Sequence, residues 1–106
     1  MKIDDAAAKL AELGNPHRLR AFRLLVRAGH EGLAVGEIRR HLGIPASTLT
    51  HHLQHLARVG LVEQVKQGRT VRCRVDYKVM DRVIAFLAEQ CCQGVAVVHE
   101  EEMDAG

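Results

Sequence analysis

Apolar residues recur along the chain with two different spacings. In five segments they fall three or four residues apart, which predicts amphipathic helices. Between the fourth and the fifth of these segments apolar and polar residues alternate, which predicts the two strands of a hairpin. The pattern places helices at residues 4–13, 16–28, 36–43, 46–60 and 77–93, and strands at residues 61–65 and 70–75.

The fourth predicted helix has two chemically different faces. Leu49, Leu53 and Leu56 lie on one side, which predicts a buried face. The opposite side carries polar or basic side chains, namely Ser47, Thr50, His51, Gln54 and Arg58. A tight break at residues 43–45 separates this helix from the third, so the two form a predicted helix-turn-helix.

The predicted hairpin carries positive charge near its tip. In its second strand Val71, Cys73 and Val75 point to one face, so Cys73 is expected to be a small packing residue. Basic side chains surround the loop, namely Lys66, Arg69 and Arg72. The order α-α-α-α-β-β-α predicts a mainly α fold (α+β) with a β-hairpin wing, which is a winged helix-turn-helix.

This arrangement predicts a surface that binds double-stranded DNA, because a helix of this kind fits a major groove about 12 Å wide. Free backbone N–H groups in the first turn favour a phosphate at Ser47 and Thr48. Base contacts are expected from the side chains that follow, Thr50, His51 and Gln54. Phosphate contacts, which add affinity but little sequence information, are expected from Lys66, Arg69 and Arg72.

Charge is distributed unevenly along the chain. Residues 14–75 hold eleven Arg or Lys and three acidic residues, a net charge of +8, whereas the two flanks together carry −6. A basic middle between acidic flanks is typical of a nucleic-acid surface that occupies only part of a protein.

Several classes of protein are excluded or disfavoured. The apolar runs are too short to span a bilayer, and the N-terminal segment has no hydrophobic signal, so a cytoplasmic location is expected. Three cysteines, an odd number, do not suggest a disulfide framework. The sequence contains no Gly-rich phosphate loop and no Ser-His-Asp constellation, which favours a binding protein over an enzyme.

The stretches GNPHRLRAFRLL, GEIRRHLGIPASTLTHHLQHLARVGLVE and QGRTVRCRVD resemble the ArsR/SmtB family of bacterial winged-helix repressors. The resemblance covers residues 8–93. It implies one domain over residues 1–106, with a helix-turn-helix at 34–60, a wing at 61–76 and an acidic tail at 95–106. It also implies a homodimer joined through helices at 1–14 and 77–94, a promoter with two half-sites, and an inducer that releases the dimer.

Two inducer sites of the family are incomplete in this chain. Ala34 and Gly36 stand where a C-x-C thiol site would be. A zinc site of the last helix would need an Asp-x-His pair, and Phe86 and Ala88 occupy those positions, although its second half is present as His99 and Glu102.

The adjacent thiols of Cys91 and Cys92 are the remaining candidate. The stretch FLAEQCCQG resembles the last helix of arsenic-responsive family members with vicinal cysteines. Soft thiolates suit trivalent arsenic and antimony. Two thiols suit methylarsenite at least as well as arsenite, which can form a third bond to sulfur. Adjacent residues of a helix point about 100° apart, so the predicted chelate requires the last turn to unwind.

Three other interpretations stay open. The two cysteines could form a thiol redox or persulfide switch, or they could be structural. The protein could also be a winged-helix module that binds another protein and has lost DNA binding.

Overall fold

The computed structural model of the protein describes residues 1–97. Over these residues, five α-helices and three strands follow one another in the order α1, α2, β1, α3, α4, β2, β3, α5. Their bounds are Ile3–Leu13, Pro16–Ala28, Leu33–Ala34, Val35–Leu42, Ala46–Arg58, Val62–Gln67, Thr70–Val75 and Tyr77–Ala88. Within the described residues no helix is both long and apolar enough to cross a membrane. The predicted winged helix-turn-helix is confirmed.

Local signals in the sequence fix the ends of several helices. The Asn15 side chain accepts hydrogen bonds from the backbone N–H groups of His17 and Arg18, at 2.9 and 3.1 Å, and Pro16 occupies the first helical position of α2. The Asp76 side chain caps α5 in the same way.

The core lies beneath the helix-turn-helix. Leu49, Leu53 and Leu56 of α4 are fully buried, as the predicted apolar face requires. They pack with the other large buried side chains of the domain, among them Leu25, Ile38, Leu61 and Cys73. Cys73 is therefore a packing residue, as predicted.

The short strand β1 was not predicted, and it extends the hairpin into a three-stranded antiparallel sheet in the order β1-β3-β2. Leu33 pairs with Cys73, and Ala34 pairs with Arg72. Gly32 makes this approach possible: its φ is +67°, and a Cβ there would collide with the Cys73 carbonyl oxygen. Two residues are too few to produce an alternating pattern, so periodicity could not reveal β1.

The last helix ends earlier than predicted. α5 stops at Ala88 rather than Gln93, so the prediction that Cys91 and Cys92 lie in the last helix is wrong. The segment of residues 88–94 that follows Leu87 has no large apolar side chain to hold it against the core. It forms two successive turns instead, with left-handed backbone at Gln90 (φ 59°) and Cys92 (φ 66°).

Candidate DNA-binding surface and thiol pair

The polar face of α4 is open to solvent because the leucines of the opposite face anchor the helix in the core. The structure exposes five of the residues predicted on this helix, namely Ser47, Thr48, Thr50, His51 and Gln54. Ser47 and Thr48 lie in its first turn. Backbone N–H groups at this end lack helical partners and can be offered to an anion.

A groove of about 690 Å³ runs between α3, α4 and the β2–β3 hairpin. Thr50 and Gln54 of α4 line it, together with Lys66 and Arg69 of the hairpin. The structure therefore brings together four of the residues that were selected from the sequence. Amide and hydroxyl groups suited to base edges lie here beside cations suited to phosphates.

Arg40 of α3 also lines this groove, although it was not among the residues predicted to contact DNA. It follows the buried Ile38 by two positions, about 200° around the helix, so its side chain is exposed. The signal in the sequence that could have indicated Arg40 is an arginine on the exposed face of α3, the helix that directly precedes α4.

Arg72 is held by the protein itself. Its Nη1 donates to the carbonyl oxygens of Glu31 and Gly32, each at 3.2 Å, and its Nε donates to Oε1 of Gln67 at 3.4 Å. Arg72 does not line the groove that contains Lys66 and Arg69. Its phosphate contact stays a prediction, whereas its contacts give it a role in fixing the wing.

His51 lies on the exposed side of α4 but outside the groove. Its Nε2 lies 3.1 Å from Nε2 of His55, one helical turn away. The neighbouring His52 is buried, and burial lowers its pKa, with a further contribution from the nearby Arg18 guanidinium. His52 is therefore a packing residue.

The Cys91 and Cys92 thiols are exposed and close together. Their Sγ atoms lie 2.7 Å apart, and the hydrogen bond between them raises the pKa of Cys91. The pair lies outside regular helix, so the geometric objection to chelation by adjacent helical residues does not apply. Both sulfurs are available to one atom without any loss of helix.

The zinc half-site named from the sequence, His99 and Glu102, lies outside the described residues, as does most of the predicted acidic tail. Over residues 1–97, no three His, Cys, Asp or Glu side chains come together in a group that could hold a metal ion.

The protein is a winged helix-turn-helix protein, as its helix-turn-helix, its basic hairpin and the groove between them define. In agreement with this class, the family model described as "Helix-turn-helix domain" matches residues 13–65, half of the chain. The chain belongs to this family.

Proteins that are similar to this chain indicate more closely which kind of helix-turn-helix protein it is. The HTH-type transcriptional regulator YgaV of Escherichia coli (strain K12) is 27% identical over 89 residues, covering 84% of this chain and 88% of its own. Reduced HlyU from Vibrio cholerae N16961 is 30% identical, covers 85% of this chain and 92% of its own, and superposes with a TM-score of 0.66.

A third relative is the homodimeric winged helix-turn-helix DNA-binding domain of Mb0332 from Mycobacterium bovis, described as a possible ArsR-family transcriptional regulator. It is 25% identical, covers 92% of this chain and 90% of its own, and has a TM-score of 0.65. The chain is therefore a DNA-binding transcriptional regulator of the ArsR/SmtB type.

Proposed function

We propose that the protein is a homodimeric repressor that leaves its promoter when Cys91 and Cys92 bind trivalent arsenic or antimony. One observation carries the inducer part of this proposal, namely the two exposed Sγ atoms 2.7 Å apart just after α5. The groove between α4 and the hairpin supports the DNA-binding part.

On DNA, α4 enters the major groove and the hairpin follows the backbone. Thr50 and Gln54 supply hydroxyl and amide groups for base edges, and His51 reaches a neighbouring position along the helix. Lys66 and Arg69 neutralise phosphates, assisted by Arg40 from α3. Ser47 and Thr48 place the start of the helix against a further phosphate.

A second copy of the chain is proposed to cover an apolar groove of about 430 Å³ between α1, α2 and α5. Ile84 and Leu87 of α5 line it and are 56% and 63% exposed. Side chains of this kind are unfavourable in water when they form a contiguous patch. Because Mb0332 shares this fold and is homodimeric, the same face is proposed to join two copies here.

The chemistry at the thiol pair is a ligand exchange without oxidation. Each thiol gives up its proton, and each sulfur forms a bond to the trivalent arsenic atom. For methylarsenite, two As–O bonds break and two water molecules leave. Carbon fills the third valence, so two thiols complete the site. Arsenite or antimonite keeps one oxygen ligand or takes a third donor from elsewhere.

Binding at the pair is proposed to act on the dimer through α5. The Cys91 backbone N–H donates to the Ala88 carbonyl at 3.0 Å, so the turn that holds the thiols begins on the last residue of the helix. A bound atom restricts this turn and shifts α5 against its partner. Two recognition helices that must lie about 34 Å apart then lose their register on DNA.

Fluorescence anisotropy on a labelled fragment of the protein's own promoter tests the proposal. Reduced protein is titrated onto the DNA, and arsenite, methylarsenite or antimonite is then added. We expect release of the wild type and retention of a Cys91→Ser, Cys92→Ser variant. Cys73→Ser serves as the matched control and is expected to respond as the wild type does. Equal release of wild type and double variant would rule out the thiol pair as the sensor.

A thiol redox or persulfide switch is the second candidate, because two exposed thiols this close can also join as a disulfide. The fold is shared with HlyU, which is known in a form described as reduced. Release by oxidants or persulfide donors, with no response to the arsenicals, would favour this function. An affinity for promoter DNA that does not weaken steeply with increasing salt concentration would instead favour a protein-binding module.

A further inference from the structure

We propose that His51 and His55 form a binding site for one divalent transition-metal ion, of the kind that imidazole prefers, such as Ni²⁺, Cu²⁺ or Zn²⁺. This histidine pair lies on α4 and is separate from the thiol pair. It is also separate from the zinc site that the family resemblance places on the last helix.

The two rings already hold one nitrogen each within hydrogen-bond distance of the other, close to the separation that two ligands of one ion require. His51 Nε2 and His55 Nε2 lie 3.1 Å apart, with the ring planes inclined by 71°. With metal–nitrogen bonds of about 2.0–2.1 Å, two nitrogens on one ion lie about 2.9 Å apart at a right angle and about 3.3 Å apart at a tetrahedral angle. The observed separation falls between these values, so an ion can enter with little movement of either ring.

A carboxylate lies next to one of the two rings, on the nitrogen that is not proposed to bind the ion. Glu12 Oε2, from the last turn of α1, lies 3.0 Å from His55 Nδ1, the nitrogen that faces away from His51. The contact is an electrostatic one, because the ring is out of line for a regular hydrogen bond. A carboxylate on the distal nitrogen of a ligating imidazole orients the ring and raises its basicity.

Arg18 fixes the carboxylate in turn. Its Nε donates to the Glu12 backbone oxygen at 2.8 Å and lies 3.3 Å from Glu12 Oε2. Residues of α1, α2 and α4 therefore hold the histidine pair in place. His51 is exposed, so an ion reaches the pair from solvent and keeps water in its remaining positions.

The consequence for DNA rests on the proposed function. An ion bound to Nε2 of His51 removes the nitrogen that would contact a base edge, and it adds charge to the recognition helix. Metal binding itself does not depend on that function. A protein that fails to bind DNA would overturn the proposed function and leave the metal titration unaffected.

Calorimetric titration of the untagged full-length chain with Ni²⁺ or Zn²⁺ tests the site. The parent protein carries Cys91→Ser and Cys92→Ser, so that thiols do not compete for the ion. We expect one ion per chain in the parent, loss of this binding in His51→Gln and in His55→Gln, and an affinity about 10–100-fold weaker in Glu12→Gln. His41→Gln, on the exposed surface of α3, is the matched control and is expected to bind as the parent does.

Imidazole NMR spectra provide a readout that does not require a variant to fold. Substoichiometric Cu²⁺ is expected to broaden the ring signals of His51 and His55 before those of the other histidines. Binding that survives both His51→Gln and His55→Gln, no binding by the parent, or broadening that begins at other histidines would overturn the proposal.

Discussion

The guanidinium Nη1 of Arg18 on α2 lies 3.4 Å from Nδ1 of His52 on α4, and the imidazole is buried beside it. A protonated His52 would place a second positive charge beside Arg18 where little water can reach it. Desolvation and, secondarily, this repulsion lower the pKa of His52 in the folded protein.

Acid is therefore expected to destabilise the fold through His52. The unfolded chain takes up a proton there near the ordinary value of 6.5, whereas the folded chain does so only at a lower pH. Between the two values the unfolded state binds more protons, so the free energy of unfolding falls as the pH falls through this window. Urea unfolding of wild type and His52→Gln between about pH 5 and pH 8 measures the effect. Identical pH profiles for the two proteins would contradict it.

Gly32 is expected to tolerate substitution less well than Gly29. Both have positive φ, so alanine strains the backbone at either position, by about 1–3 kcal/mol. At Gly29 a Cβ meets no atom within 4 Å, whereas at Gly32 it collides with the Cys73 carbonyl oxygen. Gly32→Ala is expected to cost about 1–3 kcal/mol more than Gly29→Ala in urea unfolding, by analogy with overpacking. Equal decreases in the free energy of unfolding for the two variants would show that β1 can move away from β3 freely.

Arg69 and Arg72 are expected to affect DNA binding differently, although the sequence presents both as wing arginines. Arg69→Ala should reduce the slope of log affinity against log salt by about 1, because one phosphate contact is lost. Arg72→Ala should leave that slope nearly unchanged and lower the stability by about 1 kcal/mol, because its hydrogen bonds to Glu31 and Gly32 are lost. Salt titrations and urea unfolding of both variants separate the two roles. Equal loss of slope would place Arg72 on DNA.

Thiol reagents are expected to distinguish Cys73 from the exposed pair. Burial raises the pKa of Cys73, an effect that contact with Gln64 only partly offsets, and the side chain is inaccessible. Two thiols per chain should react in the native protein, and the third only after unfolding. The Cys91→Ser, Cys92→Ser variant should show no reaction in the native state. Rapid labelling of that variant would contradict the burial of Cys73.

A charge on the outer face of α5 is expected to separate the proposed dimer. Leu87→Glu places a carboxylate in the apolar groove, where pairing with a second copy would bury it without a partner. Sedimentation velocity should show a dimer for the wild type and a monomer for the variant, both with unchanged helical circular dichroism. Arg82→Glu, on an exposed position outside the groove, is the control and should remain dimeric. A dimer that tolerates Leu87→Glu uses another face.

The parts of the fold that depend on a repeated pattern could be predicted from the sequence. Three leucines at helical spacing revealed the buried face of α4, and Asn15 with Pro16 revealed the start of α2. Structure set by non-local contacts could not be predicted. Strand β1 depends on a partner about forty residues away in the chain, where Leu33 meets Cys73.

The residues of the candidate site also fall into those that could be predicted from the sequence and those that could not. Polar residues of α4 and cations of the hairpin could be selected because each lies on the exposed side of a recognisable element. That Arg72 binds carbonyl oxygens follows from contacts that no spacing encodes. The meeting of His51 and His55, in contrast, is indicated by their spacing of four residues on one helix. The early end of α5 reflects missing apolar anchors after Leu87, which a helical periodicity carried on to Gln93 had overlooked.

Ala34 belongs to two elements at once. Its place in β1 pairs it with β3, and its backbone N–H donates to Oε1 of Glu37 in the first turn of α3, at 3.0 Å. These two contacts join the wing and the helix-turn-helix into a single structural unit. A unit of this kind cannot stretch to follow a displaced phosphate. If the proposed dimer reads two half-sites, we therefore expect an operator whose half-sites are moved apart by one base pair to be matched only by rotation of one subunit against the other.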